Sequence, residues 1–256
     1  QADNLDPISS LALFYEFRDL TPIGPDGDRM VRLLANRLVD FDLLDPATEL
    51  LSYQVENRNL IGIGRAQIAA DLASIYLLDR RPEQALQTLN ASRVPGLSDE
   101  LRIERRLLEA AAHMELQRFG HAIELLEPLD DQRALDLLAE VHWRSRTWGA
   151  AGRALQRTLP PPGSRLTQAQ IQTAVRAAVA YRLDSNYDGL ASLRSEYAAS
   201  MAGTNEADTF NLLTGSNQVS SSRLSDTVRQ LADTTTADAF LAGLRERFNA
   251  GRDDAL

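Results

Sequence analysis

Three histidines and a dense set of carboxylates are the residues of this chain best suited to chemistry. His113 and His142 occupy equivalent places in two successive segments, with His121 between them, and imidazoles so arranged are potential ligands of a divalent metal. No cysteine and no carboxylate spacing joins them, so the expectation is core packing with a hydrogen bond. The run ELLEPLDD, residues 124–131, offers the pair of acids that glycoside cleavage needs, and some lytic glycosidases carry their sites beside helical superhelices. No second, cleft-forming segment accompanies it, which reduces a glycan-cleaving superhelical enzyme to a remote alternative and makes the charges solvated helix faces. The glycines of IGIG, residues 61–64, follow no strand and read as a turn rather than a phosphate loop. A glycine-rich loop with Lys and Ser or Thr, HExxH and a nucleophile elbow are all missing. The expectation is a non-enzymatic chain with no catalytic residues, no metal and no cofactor.

Composition narrows the classes further. The 256 residues carry 27 basic and 36 acidic side chains, a formal net charge of -9, and such a balance lacks the basic face that nucleic-acid phosphates require. Every basic residue among the 27 is arginine, which together with abundant alanine points to a high-GC genome. Cysteine is absent, so disulfides, thiolate zinc sites and cysteine nucleophiles are excluded, while the compartment stays open between bacterial cytoplasm and periplasm. No run reaches the ~20 apolar residues that span a bilayer; Asp71 and Arg176 interrupt the best candidates. Since the chain opens at Gln1 without a signal peptide, it is expected to be a fragment or processed product, with targeting or envelope attachment encoded upstream.

The elements that would position any site are helices. Residues 65–91 pair two apolar-periodic segments across a break at residues 79–82, with Ala73 and Ala85 twelve residues apart and Leu72, Tyr76, Leu86 and Leu89 along the seam. The same spacing recurs. First-helix alanines fall at Ala35, Ala73, Ala110, Ala139 and Ala178, each followed twelve residues later by Ala47, Ala85, Ala122, Ala151 and Leu190. Three residues after the first set stand Leu38, Tyr76, His113, His142 and Tyr181; three before the second stand Leu44, Pro82, Phe119, Trp148 and Tyr187. Successive units are offset by 38, 37, 29 and 39 residues. A first helix is expected over residues 28–40 after the break TPIGPDGD, and a second opening at Asp45 as N-cap before Pro46.

This pattern resembles the tetratricopeptide repeat, a helix-turn-helix unit of about 34 residues with small residues in both helices. The resemblance covers residues 28–201, although the offsets are irregular and the proline after the second helix is present mainly as Pro128 and Pro160. At finer grain, DLTPIGPDGDRMVRLLANRL, DLLDPATELLSYQVENR and RQLADTTTADAFLAGLRERF resemble the C-terminal region of large tetratricopeptide proteins of alphaproteobacteria. The resemblance implies an all-α, right-handed α-solenoid of about five hairpins with N- and C-terminal capping helices. Residues 1–27 would be the entry helix and turn, 202–222 a polar loop with one short helix near Phe210, and 223–256 the capping helices and tail.

In that family the first-helix positions three before, one after and four after the small residue face a concave groove. The last of these gives Val39, Leu77, Met114, Trp143 and Arg182, a line suited to an amphipathic partner helix or extended peptide, unless tight winding buries it. Arg32 with Asn36 matches half of a carboxylate clamp, and Arg29, Arg32 and Arg133 would orient an acidic peptide by bidentate pairing. The expected function is a protein-interaction scaffold. Its alternative is a self-assembling structural subunit of an envelope or motility complex. Replacing Trp143 and Met114 together by alanine is then expected to weaken partner capture and spare helicity; loss of folding would instead mark both as core.

Overall fold

The computed structural model describes Ser9, Leu11, Ala12, Glu16, residues 25–57 and residues 61–215. Among these the chain is entirely helical: α1 (Pro25–Asp40), α2 (Leu44–Asn57), α3 (Gly62–Leu78), α4 (Pro82–Ala91), α5 (Asp99–Glu115), α6 (Phe119–Leu126), α7 (Gln132–Arg144), α8 (Trp148–Thr158), α9 (Gln168–Leu183), α10 (Tyr187–Met201) and α11 (Ala207–Thr214). None of the described helices is long and apolar enough to cross a membrane. Two compact units divide the described residues, one ending at Leu116 and the other beginning at Gln117. The first packs α1 on α2, α2 on α3, α3 on α4 and α4 on α5, with α3 also against α1 and α5. In the second, α6 packs on α7, α7 on α8, α8 on α9 and α9 on α10, and α11 closes onto both α9 and α10. The expected capping helices at 223–256 lie outside the described residues, as does most of the entry helix, whose four described positions are helical.

Local sequence explains where each helix starts. Ser98 caps α5 by accepting from the Leu101 N–H at 3.3 Å, ahead of Asp99 and Glu100 in the first turn. Thr167 and Gln170 form a reciprocal capping box at α9, and Asn186 caps α10 through the Gly189 N–H at 2.8 Å. Two starts differ from the sequence expectation. Helix α1 begins at Pro25, inside the segment expected to be a break, because proline suits the first helical position and Asp26 and Asp28 favour the positive helix end. The N-cap of α2 is Leu43 rather than Asp45: the Ala47 N–H bonds Leu43 O at 3.2 Å, leaving Asp45 and Pro46 within the first turn. The IGIG turn is likewise confined to Ile61 and Gly62, and α3 runs from Gly62.

One turn geometry recurs through the chain. Asp42, Arg80, Gln117, Arg146 and Ser185 all have φ between 54° and 59°, and each stands seven residues after its first-helix alanine, so the turns repeat with the alanine offsets. At four of them the carbonyls of the preceding helix are met in the Schellman manner. The left-handed residue's N–H bonds Val39, Leu77, Trp143 or Arg182 O, and the next N–H bonds Leu38, Tyr76, His142 or Tyr181 O, at 2.8–3.2 Å. The second helix then begins two residues on, at Leu44, Pro82, Phe119, Trp148 and Tyr187. All ten residues of the small-position register are buried.

In the second unit this packing is close around Tyr181. A Cβ at Gly152 of α8 or at Gly189 of α10 would lie 2.6 Å from its ring, so both helices pass the tyrosine at backbone distance. Its hydroxyl donates to Gln156 Oε1 at 2.8 Å. The short helix expected near Phe210 is present as α11, and Phe210 is fully buried in the same core, so residues 207–214 are packed and not part of a surface loop.

A non-glycine residue in the left-handed region costs about 1–2 kcal/mol relative to the right-handed one. Arg146 is exposed there at φ 58°. Arg146→Gly is expected to raise unfolding stability by about 0.5–1 kcal/mol and Arg146→Val to lower it, both read as shifts of the urea midpoint at unchanged slope.

Candidate functional site

The first helices of the hairpins carry the charged residues singled out from sequence. On α1, Arg32 stands three residues before Ala35 and reaches Asp71 of α3: Nε is 2.5 Å from Oδ2 and Nη2 is 3.5 Å from Oδ1. Gln67, one helical turn before Asp71, also hydrogen-bonds this carboxylate, and Glu104 of α5 adds a repulsive charge. Burial outweighs the Arg32 pairing and raises the Asp71 pKa from 3.8 to about 6. The half-clamp is thus closed internally. Arg32 serves a carboxylate of its own chain. Asn36 is half-buried one turn further along α1, and Arg29 is exposed on the preceding turn.

The apolar line is placed otherwise than a groove requires. Val39, Leu77, Met114 and Trp143 are all buried, none more than 5% exposed, as in the tight-winding alternative. The reason is their register. Each lies four residues after a buried first-helix alanine, on the same helix face, and so shares its burial. In the second unit Trp143 meets Trp148 edge to face, with ring centroids 5.3 Å apart, and Arg176 of α9 lies 4.5 Å above its ring. Glu140 accepts from Arg176 at 3.1 Å and from Arg144 at 3.2 Å, joining α7 to α9 beside the indole. Arg182 is engaged as well: it donates to Leu213 O and Gly215 O, holding the end of α11.

Arg133 turns back on the cap of its own helix. Its Nε and Nη2 donate to Asp131 at 3.0 and 2.9 Å, and its backbone N–H adds a third bond at 2.9 Å. These bonds hold the Asp131 carboxyl below its ordinary pKa. Among the arginines expected to meet an acidic peptide, Arg32 and Arg133 therefore make internal ion pairs, while Arg29 stands exposed. His142 shares a 2.9 Å hydrogen bond between Nδ1 and Thr147 Oγ1 at its turn, and burial lowers its pKa. Among the described residues no group of three or more His, Asp or Glu is placed to hold a metal.

A buried arginine escaped the sequence reading. Arg105 of α5, 8% exposed, donates to Ala66 O and Leu89 O at 2.7 Å and to Ser92 Oγ at 3.0 Å, tying α5 to α3 and to the end of α4. Burial lowers its pKa. The signal was in DELRIERRLLE, where Arg105 shares a helical face with Leu101 and Leu108. Comparison with protein families, curated proteins and solved structures finds no match to the chain.

Two outcomes follow from these environments. The folded Asp71 carboxyl binds its proton near pH 6 and the unfolded one near 3.8, so between them the folded state holds more protons and stability falls as pH rises. The difference amounts to about 3 kcal/mol, and Asp71→Asn should remove that share of the slope between pH 4 and 6 in paired urea titrations. Trp143→Ala is expected to cost about 3–5 kcal/mol and Met114→Ala about 2–5 kcal/mol. Their combination should therefore lower the melting temperature and helical circular dichroism signal instead of sparing them.

Proposed function

We propose that this chain is a non-catalytic protein-interaction scaffold of the tetratricopeptide type, a right-handed α-solenoid forming the C-terminal module of a larger alphaproteobacterial protein. The observation that carries this reading is the left-handed turn recurring seven residues after each of the five first-helix alanines. A chain of repeated helical hairpins invests its residues in packing neighbours onto one another and offers extended surface to a partner. The partner face is the outer side of α1. There Met30 and Leu33 are 45% and 38% exposed and lie three residues apart, beside the exposed Arg29, with Arg32 and Asn36 along the same helix. Apolar side chains beside the exposed guanidinium of Arg29 suit an amphipathic, acidic partner helix or peptide.

Self-assembly is the second reading, favoured by Ile61 and Phe41, which are 85% and 60% exposed. Sedimentation of the chain separates the two, since a strictly monomeric state argues against self-assembly. Selection from a displayed peptide library tests the first. Acidic amphipathic sequences should be enriched, and Leu33→Asp and Arg29→Glu should each weaken their binding about tenfold or more at unchanged helicity. Enrichment of no peptide, or of peptides indifferent to both substitutions, would remove α1 as the partner face.

A further inference from the structure

Along α5, Arg102, Arg105, Arg106 and Glu109 are spaced so that they share one helical face. Together with Leu89 of α4 and Arg93 and Leu97 of the following connection, they line a recess of about 140 Å³. Four guanidinium groups meet a single lining carboxylate there, in a chain whose formal charge is -9.

Each cation is held differently. Arg105 forms the buried wall, and its three bonds to two carbonyls and a hydroxyl use three of its five N–H donors. Its charge is met by dipoles, with no ion pair to it among the described residues, while Glu104 and Glu109 act on it at longer range. Arg93 pairs with Glu109 at 2.9 Å, but its side chain is 65% exposed, so this contact exchanges at little cost. Arg102 pairs within its own helix to Asp99, a carboxylate 87% exposed. Arg106 is half-buried at the recess.

We propose that this recess binds a compact oxyanion, a phosphate or carboxylate group, between the guanidinium groups of Arg93, Arg102, Arg105 and Arg106. Guanidinium forks match the paired oxygens of both groups and bind them with charge-assisted hydrogen bonds. The volume selects a single group, since sites for drug-sized ligands begin at about 300 Å³. The buried Leu89 and the half-buried Leu97 make part of the lining apolar, which strengthens the attraction. An incoming anion takes Arg93 from Glu109 and supplies Arg105 with a direct ion pair in place of the longer-range charges of Glu104 and Glu109. The inference does not depend on the scaffold reading, because its test requires no protein partner.

Calorimetric titration of the full chain with inorganic phosphate, phosphoserine and succinate, at constant ionic strength set by chloride, tests it. Saturable one-site binding of at least one of these, with a matching rise in melting temperature, is the expected result. Phosphate and phosphoserine binding without succinate binding assigns the site to a phosphate group; succinate alone assigns it to a carboxylate. Arg106→Gln and Arg93→Gln should each weaken binding about tenfold or more with unliganded melting unchanged, and Arg106→Lys should recover part of the loss. Arg105 is left intact because it ties three helices together. Heats that fail to saturate with all three anions, or binding that both glutamine variants leave unaltered, would overturn the proposal.

Discussion

A helix that ends in a left-handed residue turns its chain back within a few residues, and in this protein that reversal governs what comes after it. The two N–H groups of the turn satisfy two carbonyls that would otherwise end the helix unpaired. With the turn set, the second helix starts two residues later and its small residue falls three beyond that, at Ala47, Ala85, Ala122, Ala151 or Leu190. Packing register is thus a consequence of turn geometry. The strain of Asp42, Arg80, Gln117, Arg146 and Ser185 in a region that favours glycine is offset by the burial of the helix that each turn delivers, where one fully buried Leu or Ile is worth about 1.5–3 kcal/mol.

That register was legible in the amino-acid sequence because it repeats. Ala73 and Ala85 alone would be an ordinary coincidence of spacing; four further pairs at the same separation made a hairpin the economical reading, and the rings at Phe119, Trp148 and Tyr187 marked the second-helix starts. What could not be read was anything that joins residues across different hairpins. No local pattern links Arg32 to Asp71, so a guanidinium paired within the chain looked like half of a ligand clamp. Likeness to a regular repeat makes the position four after the alanine groove-facing. Here its residues lie in the helix-ending turn, and Trp143 is enclosed by Trp148 and Arg176. Pro25 misled in the opposite sense: a proline between two glycines reads as a break, yet at a first helical position it begins α1.

The exclusive use of arginine shapes how the units are held. A guanidinium can bind several acceptors at once from a fixed plane. Arg105 joins two carbonyls and a hydroxyl, Arg182 spans two carbonyls near the end of α11, and Arg176 combines a carboxylate bond with the face of an indole. A lysine ammonium, a point charge on a flexible stem, would fill these places less well. The arginines therefore do much of the cross-linking between helices, and the charge of the chain is partly internal architecture.

The pairing of Trp143 with Trp148 also gives the molecule an optical asymmetry. These are the chain's two tryptophans, and both belong to the second unit. Indole fluorescence is therefore blind to the first unit, while peptide circular dichroism sums the helices of both. If the units melt separately, the two signals will trace different transitions, and their divergence reports how far the chain departs from all-or-none unfolding.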